Sequence, residues 1–424
     1  MMAIIFLSGL FIYYWLVLRQ HVRTGSVLAM LLWLLYVGLG ASGVFIALTG
    51  GISPIFEPNY LSVLVLLAGV ILSISGFLRF RAQDISQLFG VIRGQHIIEN
   101  LLIISQLSAM VFFLPFAISS LSGDANENRL LLNEKMEVMG SYGLINTLAG
   151  AASQLFSSSL VLAFIRLASK QNQGRNVFRA LLLIFSSLSY VTYILAYVGR
   201  DGVVYWLMTS VMIFVLFRRH LDRADRRRVG LLGLLVTVTI MIPFGVITIA
   251  RFFDADQGAG WSFFEYFGAQ IQNFSDYSSM DRPITYGIAS FPMFVSGGCA
   301  VMGLDCPSFL TIKDAVFDEY LNQGKAPWVF GTFVSDFVGD FGNIGALTFL
   351  LVFSMLCTRA CSVGGRSNGL SLSRLLLILF LFLIPYWGVF YFRFSIINGF
   401  IVVNLAFVIF VGLLQRLIPL LDER

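Results

Sequence analysis

The run Ser26-Val-Leu-Ala-Met-Leu-Leu-Trp-Leu-Leu-Tyr-Val-Gly-Leu-Gly-Ala-Ser-Gly-Val-Phe-Ile-Ala-Leu-Thr49 contains no charged residue. As a helix it is long enough to cross a hydrocarbon core about 30 Å thick. Its apolar residues do not alternate with period two, so it does not read as a strand of an outer-membrane barrel. In lipid the backbone must satisfy its own polar groups, and a helix does so within one segment. Similar runs recur at roughly 3–18, 59–78, 97–119, 146–168, 180–198, 203–217, 230–250, 333–357, 375–391 and 396–414. The expectation is an all-α polytopic integral membrane protein of about eleven spans, forming one membrane domain over 1–424.

Composition agrees. Of 424 residues, 58% are hydrophobic, 15% aromatic and 12% charged, with a mean hydropathy of +0.84. A soluble globular chain carries about 25% charged residues. The deficit excludes a water-soluble fold, a disordered chain and a nucleic-acid-binding domain.

The charges that remain sort by side. Most of the 28 Lys and Arg fall in alternate connections, with a dense run from Arg218 to Arg228. Positive connections stay in the cytoplasm. The other face keeps Arg129, Lys135, Arg200, Arg251, Arg282, Lys313, Lys325 and Arg393, and it holds most of the 23 Asp and Glu. This places the N-terminus outside, the C-terminus inside and the long 251–332 segment outside. The net charge of +5 averages a basic inner rim with an acidic outer face. The apolar run beginning at residue 3 has no basic segment before it, so it reads as a span rather than a signal peptide.

The 251–332 segment is too long and too aromatic for a passive linker. It carries Trp261 and Tyr266, then the polar stretch from Gln270 to Tyr277. The apolar spacing over Trp261–Gln272 predicts an amphipathic helix at the membrane interface. The whole segment reads as a lid or cavity wall. Cys299 and Cys306 lie within it, where an oxidising compartment permits either a bridge or two free thiols. Cys357 and Cys361 fall at a cytoplasmic helix end, in a spacing that makes no metal site without further ligands.

No nucleotide-binding loop, zinc-protease motif or nucleophile elbow is present. His21, His96 and His220 all map to the cytoplasmic side, so an outer site has no histidine base. What the outer side offers is a sparse set of ionisable residues at span ends, costly near lipid and functional by default. Arg200, Arg251, Arg282 and Arg393 suit phosphate, because guanidinium is a planar, permanently charged fork. Each can equally be an interfacial anchor. Asp336 and Asp340 stand four apart and share a helical face. One of them can serve as a general base, tuned by its neighbour, or both can be helix caps. Gly331, Gly339, Gly342 and Gly345 around them permit close helix approach.

Three segments resemble the Wzy-type oligosaccharide repeat-unit polymerases of bacterial inner membranes. They are Gly199-Arg200-Asp201-Gly202, the run from Trp328 to Gly345 that contains Asp336 and Asp340, and Tyr391-Phe-Arg393-Phe-Ser-Ile-Ile-Asn-Gly399. Val338 stands where that family has an aromatic residue, and Phe394 where it has glycine. The resemblance implies a membrane glycosyltransferase architecture of the GT-C type with a long periplasmic loop. It implies that undecaprenyl-diphosphate-linked oligosaccharide repeat units are joined into an O-antigen or capsule at the periplasmic face, without a metal or other cofactor. Asp336, with Asp340 second, is then the base; Arg200, Arg251, Arg282 and Arg393 hold the diphosphate; Trp261, Tyr266 and Tyr277 position sugars. Implied partners are membrane lipids and a chain-length regulator. A ligase using the same donor is disfavoured by the missing outer histidine. A flippase of lipid-linked sugars is disfavoured by the absence of sequence repeats.

Overall fold

The computed structural model describes residues 1–49, 59–89, 92, 94–121, 143–169, 173–197, 199, 201–224, 226–227, 230, 233, 267–280, 284–305, 309–324, 331–362, 370–395 and 398–422. Among them every regular element is helical. In chain order the helices are α1 (Met2–Arg23), α2 (Val27–Leu48), α3 (Tyr60–Ser75), α4 (Gln95–Leu121), α5 (Leu144–Ser153), α6 (Phe156–Ala168), α7 (Gln173–Ser187) and α8 (Ser189–Ala196). They continue as α9 (Asp201–Phe217), α10 (Gln270–Ser279), α11 (Pro292–Met302), α12 (Phe309–Asn322), α13 (Thr332–Cys361), α14 (Leu372–Trp387) and α15 (Gly399–Asp422).

Six of these stretches are long and apolar enough to cross a membrane: α1, α2, α4, Asn176–Ala196 across α7 and α8, α13, and α15. A seventh arises if α5 and α6, bent by 40° at their junction, act as one span. The protein is thus a polytopic, all-helical membrane protein. The difference from eleven lies in α3, α9 and α14, which are apolar but short. With 16 or 17 residues each, they reach about 24–26 Å at 1.5 Å per residue. The stretch expected at 230–250 lies largely outside the described residues.

Contacts divide the chain into two compact units, each assembled from separate stretches. The first comprises Met1–Arg81, Phe252–Val363 and Ile378–Ile401; the second comprises Ala82–Arg251, Gly364–Leu377 and Val402–Arg424. Sequence reads as one domain, since both units are built from equally apolar helices.

In the first unit, polar tips inside the apolar bundle find backbone or hydroxyl partners, as a low-dielectric interior demands. Trp33 Nε1 donates to the Leu10 carbonyl at 2.9 Å, Tyr36 Oη to the Pro385 carbonyl at 2.9 Å, and the Tyr13 and Ser75 hydroxyls meet at 2.9 Å. Asn59 caps α3 by accepting the Ser62 N–H at 3.1 Å.

The interfacial helix expected over 261–272 lies largely outside the described residues, and helix α10 takes up the polar stretch from Gln270 onward. Its polar residues Gln270, Asn273, Ser275 and Asp276 are buried together with Ile271, Phe274 and Tyr277. The reason is close backbone approach. A Cβ on Gly268 would lie 2.5 Å from the Ser42 carbonyl carbon, and one on Gly43 would lie 3.1 Å from the Gly268 oxygen. Two glycines let α10 sink among α2, α3 and α13.

Helix α13 is broken. Gly342 takes φ 69° and ψ 174°, a region essentially reserved for glycine. The break separates a short half-helix, 332–341, from a membrane-length one, 343–361. The expected role of Gly342 in helix packing is therefore replaced by a conformational one. A Cβ there would meet only the Ile284 Cδ1 at 3.5 Å, an ordinary contact. Gly342→Ala is expected to lower stability by about 1–3 kcal/mol through backbone strain alone, read as a lower thermal midpoint in detergent. Gly297→Ala in α11, where an added Cβ meets nothing within 4 Å, is the matched control and should be neutral or stabilising.

In the second unit, Gln106 Oε1 on α4 accepts from Ser159 at 2.8 Å and Ser186 at 3.1 Å, and Trp206 donates to Ser187 at 2.9 Å. Phe156 stacks on Tyr190 at 4.3 Å. Nearer the start of α4, the buried Glu99 carboxylate binds Arg166 and Arg179.

Candidate active site

The first unit gathers Asp336, Asp340, Arg393 and Tyr277 around the half-helix 332–341. Its start is fixed by the turn that follows α14. The Thr332 N–H donates to the Phe390 carbonyl at 2.9 Å, and the Phe333 N–H to the Gly388 carbonyl at 2.8 Å. Thr332 itself has φ 73°, unusual for a β-branched residue and costing about 1–3 kcal/mol. Such strain concentrates at functional sites. Gly331, just before it, has no room for a side chain: a Cβ would lie 2.9 Å from Ser335 Oγ and 3.1 Å from Tyr277 Cδ2.

The two aspartates on this half-helix have different surroundings. Asp336 is partly exposed, and its Oδ2 accepts the Phe392 N–H at 2.5 Å. That bond ties the carboxylate to the backbone one residue before Arg393. Arg393, a partly exposed residue, donates from its guanidinium to Tyr391 Oη at 2.7 Å. A carboxylate, a guanidinium and a phenol thus converge on one turn.

Asp340 is fully buried. It accepts from Thr285 Oγ1, from the Ala289 N–H at 3.1 Å and from the Ser290 N–H at 2.7 Å, while its backbone carbonyl accepts the Tyr286 N–H at 2.9 Å. The expected pair of carboxylates at a span mouth therefore resolves into one accessible acid and one sealed cap. The cause is tertiary: the 285–290 turn folds over one end of the shared face.

Asn398, near the end of the third resembling segment, is a structural clamp. It accepts the Met293 N–H at 3.0 Å and donates to the Ser290 carbonyl at 3.0 Å and the Phe394 carbonyl at 2.5 Å. Phe394 is buried and stacks on Trp387 at 5.6 Å, so an apolar ring, not a glycine, fits this core. Val338 is buried too.

Tyr277 is 4% exposed, with one face taken by Tyr320 at 4.9 Å. It forms a wall of the site rather than the open stacking platform expected for a sugar. Sequence reading missed Tyr391, Tyr320 and Asn398. Tyr391 and Asn398 lay inside a quoted segment, whereas nothing local marks Tyr320. Cys299 is disulfide-bonded, while Cys357 and Cys361 are free and buried. Arg200, Arg251, Arg282, Trp261, Tyr266 and Cys306 lie outside the described residues. No known protein family, curated protein or solved structure matches the chain.

Proposed function

We propose that this chain is a Wzy-type polymerase of undecaprenyl-diphosphate-linked oligosaccharides in the bacterial inner membrane, with its N-terminus periplasmic and its C-terminus cytoplasmic. The observation that carries the reading is the Asp336–Phe392 bond, which sets an accessible carboxylate beside Arg393 and Tyr391 in a membrane protein. In the reaction, the acceptor hydroxyl of a new repeat unit attacks the anomeric carbon of the growing glycan. Its proton passes to Asp336. The bond from that carbon to the diphosphate oxygen breaks, and the leaving charge is met by Arg393. By resemblance, Arg200, Arg251 and Arg282 are further candidates for binding the diphosphate. Fixed cationic donors of this kind stabilise charge as it develops.

The test is polymerisation of a defined lipid-linked repeat unit by the purified protein in liposomes, scored as a glycan ladder. A charge-assisted hydrogen bond contributes about 1.5–3 kcal/mol, so Arg393→Ala should raise the half-saturating donor concentration by about 10–100-fold. An unchanged value would remove Arg393 from the diphosphate site. A second reading, a transporter of the same lipid, is favoured by the helix break at Gly342, since transporters build sites on broken helices. It predicts movement of the lipid across sealed liposomes with no new glycosidic bond.

A further inference from the structure

From Ile284 to Leu304 the chain carries no charged residue. Sequence places this stretch in the long extramembrane segment, yet its side chains are arranged for hydrocarbon. Met293, Phe294, Met302 and Leu304 are exposed, and Val301 is 89% exposed. A water-facing surface of this density is rare on soluble proteins and marks an interaction site.

The backbone gives the second observation. Hydrocarbon admits irregular backbone only where polar groups are satisfied inside the protein. The N–H groups of Tyr286, Ala289 and Ser290 go to Asp340. Those of Ile288, Phe291, Phe294 and Val295 go to carbonyls within the stretch, and that of Met293 goes to Asn398. Pro292 has no N–H to satisfy, and it opens α11 at the position where that lack costs nothing. At the other end Gly303, at φ 65°, closes the helix, with the Gly303 N–H to Ala300 at 3.3 Å and the Leu304 N–H to Cys299 at 2.9 Å. A loop meant for water has no need of so many internal pairings of its backbone N–H groups.

The third observation is continuity with a membrane-facing surface. Ile284 and Gly287 pack against Gly342 and Phe341 at the break in α13. Two residues on, Ile344 is 83% exposed, and Leu351, Val352, Met355 and Leu356 continue the exposed apolar face along this spanning half-helix.

We propose that residues 284–304 form a re-entrant element seated in the hydrocarbon of one leaflet, with α11 in contact with phospholipid acyl chains. The element would then be part of the membrane domain rather than a loop in solvent. Asp340, Asn398 and the Cys299 disulfide are its anchors.

The test uses the full chain in proteoliposomes. Val301→Trp and Met302→Trp each add one indole to the native background, and the difference spectrum reports its surroundings. Both positions are exposed, so neither change disturbs the interior. The expected result is blue-shifted added emission that is strongly quenched by dibrominated phosphatidylcholine and insensitive to aqueous iodide. Red-shifted emission quenched by iodide would place α11 in water and overturn the proposal. Blue-shifted emission that neither quencher reaches would mean a protein surface covers α11, which overturns it as well.

Discussion

Asp336→Asn is expected to cut glycan extension by about 10²–10⁴-fold, the usual worth of a positioned general base, while the protein stays folded. The asparagine Oδ1 can still accept the Phe392 N–H that now binds Asp336 at 2.5 Å, so the turn carrying Arg393 keeps its place. What goes is the negative charge and, with it, the capacity to take a proton. Asp340→Asn should fail differently. Both Asp340 oxygens accept, one from Thr285 and Ala289 and the other from Ser290. An amide replaces one acceptor by a donor that faces another donor. A buried group left unsatisfied costs about 1–3 kcal/mol, so Asp340→Asn should show a lower thermal midpoint and lose activity along with structure. The measurement is a glycan ladder from liposomes set beside thermal unfolding of the same preparations. Normal turnover in Asp336→Asn would reject the base. A dead but fully stable Asp340→Asn would assign the base to Asp340 instead.

That split was beyond sequence. Spacing put Asp336 and Asp340 on one helical face, which is correct for the half-helix 332–341. Their environments differ because Thr285, Ala289 and Ser290, some 50 residues earlier, fold onto only one of them. The apolar run at 26–49 was legible because lipid imposes one rule on every residue of a span. The helix break was not legible, since Gly342 is one glycine among several and only its φ and ψ distinguish it. The burial of α10 was hidden for a related reason. The polar stretch from Gln270 to Tyr277 carries no local mark of burial, and Gly43, which meets Gly268 beside it, belongs to a distant segment. Arg393 is legible as an unusual cation in an apolar setting, whereas nothing in the sequence marks Tyr391, two residues before it, as its phenol partner.

Charge that sequence assigns to topology serves structure in the second unit, and a reversed order of mutational costs is expected there. Arg166 and Arg179 read from sequence as cytoplasmic orientation signals. In the fold they hold Glu99, whose side chain is 0% exposed, at 2.6 Å and 3.2 Å, while theirs are 13% and 20% exposed. Arg166 is bidentate, reaching the second Glu99 oxygen at 3.0 Å, and Gln95 Nε2 adds a bond at 2.8 Å. Breaking a buried pair by removing one partner costs about 3–5 kcal/mol, because the remaining charge stays desolvated. The two partners are not equivalent. Arginine near a span end can extend its head to the interface, whereas the Glu99 carboxylate is sealed inside the bundle. Arg166→Ala should therefore carry a large part of that penalty, the remaining Arg179 contact at 3.2 Å offsetting the rest, and Glu99→Ala distinctly less. The double variant Glu99→Ala/Arg166→Ala should be more stable than Arg166→Ala alone, since no buried charge is then left behind. Chemical or thermal unfolding of the four proteins in one detergent gives the cycle. If Glu99→Ala proves the costlier single change and the double variant gains nothing, the burial of Glu99 does not govern the energetics of this cluster.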